Sequence, residues 1–125
     1  MKLHVAIVAA GLLAPVFGTA LAHHSFAMFD QDKQTKLVGV IKEVQWTNPH
    51  IWVQVLVKDA SGKDEEWSIE GGSPNGLTHQ GWKRTSLKAG DHVEIVIHPL
   101  KNGEKGGSIM RVSVDGKSVG GGRPA

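Results

Sequence analysis

The chain has 125 residues and a formal net charge of only +2, from 14 Lys and Arg against 12 Asp and Glu, with no long run of either sign. This length allows one small core, and the weak charge predicts that nucleic acid is not a partner. Cysteine is absent, which excludes disulfides, thiolate metal sites and cysteine nucleophiles.

The first 22 residues have the pattern of a cleavable export signal. A short basic lead containing Lys2 precedes an uncharged apolar stretch, residues 5–17, and an A-x-A cleavage site, residues 20–22. The apolar stretch is shorter than the roughly 20 residues that span a bilayer. The sequence therefore predicts removal of residues 1–22, a periplasmic product, and no membrane span in the mature chain.

Five later segments are rich in Val and Ile and alternate broadly between apolar and polar residues, which is typical of strands. They are residues 36–46, 51–58, 65–70, 92–98 and 108–114. The second is the clearest, because Ile51, Val53 and Val55 share one face. Gly39, inside the first segment, predicts either a bulge or the close approach of another backbone.

A short helix is predicted between the third and fourth strands, over residues 77–82, with Leu77 and Trp82 as its apolar contacts. Three strands, a helix and two strands predict an all-β fold with minor α content, a small five-stranded OB-fold-like barrel. A two-sheet sandwich is the alternative, although it usually needs about seven strands. We expect one domain over residues 23–119 and a disordered glycine-rich tail over residues 120–125.

Cleavage after residue 22 would place His23 and His24 at the amino terminus of the mature chain. A free α-amine, a backbone amide nitrogen and an imidazole together form a nitrogen-rich chelate, which suits Cu(II). The uncleaved precursor lacks that amine, so the site would exist only after processing. We predict a copper site with these two histidines as ligands. A polar, disordered start to the mature chain is the alternative.

Strand reversal brings three ionisable residues to one rim of the predicted barrel. They begin the second strand or end the third and fourth: His50, Glu70 and His98. OB-folds bind ligands through the loops at this end, so His50 and His98 are predicted further metal ligands and Glu70 a ligand-binding residue. Two alternatives stay open, a ring of His50 bonded to a backbone carbonyl, and a His98 that points outward into solvent.

Other residues near this rim suggest a second kind of function. Trp46 and Trp52 flank the first loop, and Ser73 and Asn75 lie in the loop after the third strand. They predict ligand binding or, as the alternative function, a non-catalytic module that docks a periplasmic protein. No phosphate loop, G-x-S-x-G or H-E-x-x-H pattern is present, so we predict no enzyme activity, with copper-dependent oxidation as the weakest alternative.

Several motifs resemble a family of small, exported, uncharacterised proteins of Gram-negative bacteria. They are AHHSF at residues 22–26, WTNPH at 46–50, GSPNGL at 72–77 and HPL at 98–100. The resemblance covers nearly the whole mature chain. It implies export and a single domain, and it supplies no mechanism and no catalytic residue.

Overall fold

The computed structural model describes the backbone of residues 24–120 and the side chains of residues 26–120. Its elements are α1 (His24–Ala27), β1 (Thr35–Gln45), β2 (Trp52–Lys58), β3 (Asp64–Glu70), α2 (Pro74–His79), β4 (His92–Pro99), β5 (Gly106–Val114) and β6 (Lys117–Ser118). The predicted signal, residue 23 and residues 121–125 of the predicted tail lie outside this range. Within it, no helix is long and apolar enough to cross a membrane.

Strands β1 to β5 form a closed barrel, which confirms the predicted fold class. Antiparallel pairs join the strands in the order β3-β2-β1-β4-β5, and a parallel pairing of β3 with β5 closes the circle. This seam spans three positions on each strand, residues 68–70 with residues 106–108. The two-residue β6 extends the sheet beyond β5, and it is too short to give a periodic signal in the sequence.

The barrel core consists of the faces that alternation predicts. Its largest fully buried side chains are Ile41, Ile51, Val53, Val55, Ile69, Ile95 and Ile97. Burial of each such side chain stabilises the fold by about 1.5–3 kcal/mol before entropy is counted. Leu77 and Trp82 also pack into this core, as predicted for the helical connection.

Helix α2 begins three residues earlier than the sequence analysis predicts and ends at His79. Ser73 is its N-cap and Pro74 its first residue, a pair that favours a helix start and that we assigned to a loop. Gly81 has a φ of 87°, so the chain leaves helical geometry there and the helix cannot extend to Trp82. The predicted helix over residues 77–82 was therefore wrong in its bounds.

Gly39 marks a close approach of two backbones. The bulge of β1 falls between Ile41 and Glu43, whereas Gly39 is in regular register with Val57 of β2. A Cβ atom at Gly39 would collide with the carbonyl oxygen of Leu56. The second of the two sequence interpretations is the correct one.

Replacing Gly39 with Ala should destabilise the barrel by about 1–3 kcal/mol, because β1 and β2 must separate to admit the new methyl group. Urea unfolding would measure the loss. The control is Val38→Thr at the neighbouring position, where the side chain is 62% exposed and we expect a change within about 0.5 kcal/mol. Equal effects of the two substitutions would contradict the close-approach explanation.

Candidate functional site

The chain from the last two residues of α1 to the approach to β1 lies across the end of the barrel where β4 stops. We call this segment, residues 26–33, the strap. Phe29 forms an isolated bridge with Leu100 and is only 3% exposed. The amide of Asp30 donates to the carbonyl oxygen of Pro99 at 2.8 Å, and the amide of Lys101 donates to that of Met28 at 2.9 Å. These bonds attach the strap to the loop that joins β4 to β5.

A turn within the strap is held by the side chain of Asp30. Its Oδ1 accepts a hydrogen bond from the amide of Asp32 at 3.2 Å, and its Oδ2 lies 3.2 Å from the ammonium group of Lys33. The hydrogen bond from Lys33 is the main cause that lowers the pKa of Asp30. The carboxylate is thus ionised at neutral pH and fixes the chain between the bridge at Phe29 and the start of β1.

A cleft of about 390 Å³ lies between the strap and the barrel rim. Its polar walls include His50, Glu70 and His98, the three residues that strand reversal predicts at one end of the barrel. The structure therefore brings all three together. The apolar part of the wall includes Phe26, Phe29, Ile109 and Met110.

Strand register explains why Glu70 and His98 share this cleft. Glu70 of β3 pairs with Ser108 of β5, which also pairs with His98 of β4. Partners across a sheet present their side chains on one face. That face is the outer one, because the neighbouring Ile69 and Ile97 are fully buried in the core. The cleft is thus on the outer wall of the barrel near its rim, and the parity argument for an outward His98 is correct.

Glu70 is almost entirely buried, and His50 is its partner. Its Oε1 lies 3.2 Å from Nε2 of His50, while Nδ1 of the same ring lies 3.0 Å from the carbonyl oxygen of Gly71. A carbonyl oxygen can only accept, so Nδ1 carries a proton and donates. Both ring nitrogens of His50 are therefore in contact with an oxygen atom, Nδ1 with the carbonyl of Gly71 and Nε2 with the carboxyl of Glu70.

His98 is bonded differently. Its Nδ1 lies 2.8 Å from the carbonyl oxygen of Lys33 in the strap, so that nitrogen is also the donor. Its Nε2 has no hydrogen-bond partner among the backbone and side chains that the structure describes, which leave out the side chains of residues 24 and 25. In the neutral ring this nitrogen keeps its lone pair, and the bond to Lys33 fixes the orientation of the ring.

The remaining candidates do not line this cleft. Trp46 is half-buried and packs against the barrel core. Trp52 is half-buried and pairs in register with Glu70. The hydroxyl of Ser73 caps α2 by accepting from an amide of the first turn at 3.1 Å, and Asn75 is exposed on the same helix.

The predicted amino-terminal copper ligands fall outside what the structure describes. This applies to all of His23 and to the side chain of His24. In the described part of the chain, no three His, Asp or Glu side chains form a group that could hold a metal ion. His50, Glu70 and His98 therefore line one cleft without forming a three-ligand metal site among themselves.

The sequence analysis missed most of the residues that line the cleft, among them Phe26, Phe29 and Met110. Phe26 ends the AHHSF motif, which was its signal, and Phe29 follows three residues later. Met110 had no usable signal. In the pairing of β4 with β5, Val96 is opposite Arg111 and Ile97 is opposite Ile109, so Met110 is the extra residue of a bulge.

Comparisons with known proteins identify a family for the chain and assign it no activity. A model described as "Family of unknown function (DUF6152)" matches residues 10–110. No curated protein matches the chain. Among solved structures, the mitochondrial single-stranded DNA-binding protein Rim1 of S. cerevisiae is similar, at 11% identity and a TM-score of 0.47. The match covers 70% of this chain and 97% of that one.

A double-mutant cycle with His50→Ala and Glu70→Ala should give a coupling energy of about 1–2 kcal/mol, because loss of His50 leaves the buried carboxyl of Glu70 without its partner. Chemical unfolding of the four proteins would measure it. The exposed pair of Lys36 and Glu94, with nitrogen and oxygen 2.9 Å apart, is the matched control. We expect its coupling to be at most about 0.5 kcal/mol. Equal couplings would contradict the role given to His50.

Proposed function

Because the chain belongs to the family of unknown function DUF6152, which assigns no activity, we propose a function from the cleft itself. The protein is a periplasmic binding module whose ligand is Cu(II), held by the processed amino terminus together with His98. It binds without catalysing a reaction. The observation that carries this proposal is the fixed ring of His98, with its Nε2 unpartnered among the described residues, in the cleft that the strap covers.

Chain length supports a contribution from the amino terminus. Phe26 lines the cleft, and it lies only three residues after His23. Three residues span at most about 10 Å. An α-amine on His23, created by cleavage after residue 22, would therefore be within reach of the cleft. The amine, a backbone amide and one imidazole would supply the nitrogen-rich donor set that Cu(II) favours.

Hydrogen bonding favours His98 over His50 as the ligand that completes this set. Both ring nitrogens of His50 are engaged, with Glu70 and with the carbonyl of Gly71. His98 has the arrangement common among metal-binding histidines, in which one nitrogen donates to a carbonyl and the other faces the metal. The sequence analysis predicted both histidines as further metal ligands, with a backbone-bonded ring as the alternative for His50.

The amine contribution is tested with the mature chain that begins at His23 and with the same chain acetylated at that amine. Acetylation turns the amine into an amide and removes the anchoring donor of the chelate, so Cu(II) affinity should fall at least about tenfold, equal to about 1.4 kcal/mol. Quenching of tryptophan fluorescence during Cu(II) titration would measure it. An unchanged affinity would refute the amine chelate.

His98 is tested by the substitution His98→Gln in the same titration, with His92→Gln as the control. His92 begins the same strand, is exposed, and does not line the cleft. We expect His98→Gln to lower Cu(II) affinity by at least about tenfold and His92→Gln to leave it unchanged. If the two variants behave alike, His98 is not a ligand. If both variants bind Cu(II) as tightly as the unchanged protein, the amino terminus alone supplies the ligands.

A further inference from the structure

The bulge of β5 presents a thioether to the same cleft. Met110 has no partner on β4, lines the cleft and is 38% exposed. Met1 falls within the predicted signal, so Met28 and Met110 are the two thioethers of the predicted mature chain. Of these two, only Met110 lines the cleft.

Met110 and His98 are neighbours on the outer wall of the barrel. His98 pairs with Ser108, two residues before Met110 on β5. Both side chains line the same cleft of about 390 Å³, so an imidazole and a thioether can reach one ion between them. Nε2 of His98 has no partner among the described residues, and Nδ1 is fixed by the carbonyl of Lys33.

The donor types and the surroundings select the ion. Thioether sulfur is a soft ligand that selects Cu(I), and imidazole also binds copper. The carboxyl of Glu70 is almost entirely buried and has His50 beside it at 3.2 Å, and Phe29 and Ile109 also line the cleft. A cleft of low polarity suits a monovalent soft ion better than a divalent hard one, because the cost of desolvation rises with charge.

We propose that the cleft is a Cu(I) site in which Nε2 of His98 and Sδ of Met110 are the ligands. This inference deepens the proposed function, because it rests on the same cleft and the same histidine. It does not require the α-amine. The reduced ion is held by His98 and Met110, whereas the oxidised ion is held by His98 and the processed amino terminus.

The test is anaerobic competition for Cu(I) between the mature protein and the chromophoric chelator bicinchoninate, with ascorbate as the reductant. Met110→Leu should lower Cu(I) affinity at least about tenfold and leave Cu(II) affinity unchanged, because only the soft ligand is lost. The control is Met28→Leu. Met28 is 44% exposed, similar to Met110, but it does not line the cleft. Both changes conserve volume at exposed positions, so both variants should fold.

Two results would overturn the Cu(I) site. One is equal Cu(I) affinity of the Met110→Leu and Met28→Leu variants, and the other is an X-ray absorption spectrum of the Cu(I) form without sulfur scattering. The chain acetylated at the amine of His23 separates this inference from the proposed function. If acetylation leaves Cu(II) binding unchanged while Met110→Leu still weakens Cu(I) binding, the amine chelate fails and the Cu(I) site stands.

Discussion

The parallel pairing of β3 with β5 is the constraint on which the rest of the structure depends. It closes the barrel over three positions, and it also joins Glu70 to Ser108 and His98 in one row. Glycine makes the closure possible. A Cβ atom at Gly106 would lie only 2.9 Å from the carbonyl oxygen of Ser68 on β3, so glycine at this position allows the two backbones to approach. Barrel closure and construction of the cleft are therefore one event.

The two histidines of the cleft show how neighbouring groups assign different tasks to one residue type. His50 contacts the buried carboxyl of Glu70 through Nε2 and is anchored by the carbonyl of Gly71 through Nδ1, so it is the partner of a carboxyl buried in the barrel wall. His98 is anchored through Nδ1 alone, by the strap. The two histidines do not differ in exposure, because both are partly buried. They differ in the hydrogen-bond partners and contacts of their ring nitrogens.

Much of this architecture was predictable from the sequence because its causes are local. Alternation in segments such as residues 51–58 defines the strands, and strand reversal then predicts that His50, Glu70 and His98 share a rim. The start of α2 was also predictable, since Ser73 followed by Pro74 is a helix-start signal that we assigned to a loop. That error was one of interpretation.

The remaining features depend on contacts between distant parts of the chain. The strap binds residues 99–101, about seventy positions further on, and no local pattern encodes that pairing. Met110 has no partner on β4 because the register of β5 against β4 shifts by one residue. Such a shift depends on two strands at once, so the sequence of either strand alone does not predict it.

The attachment of the strap has a consequence for how rapidly a ligand could be exchanged. Phe29 is the one residue of the strap that is buried, and a few backbone hydrogen bonds supply the rest of its hold. Its detachment would uncover the cleft and leave the barrel core intact. Local unfolding of this kind costs far less than global unfolding. The residence time of a ligand in the cleft would then depend on how often the eight residues of the strap detach. Mutations that weaken the barrel core would change this residence time little.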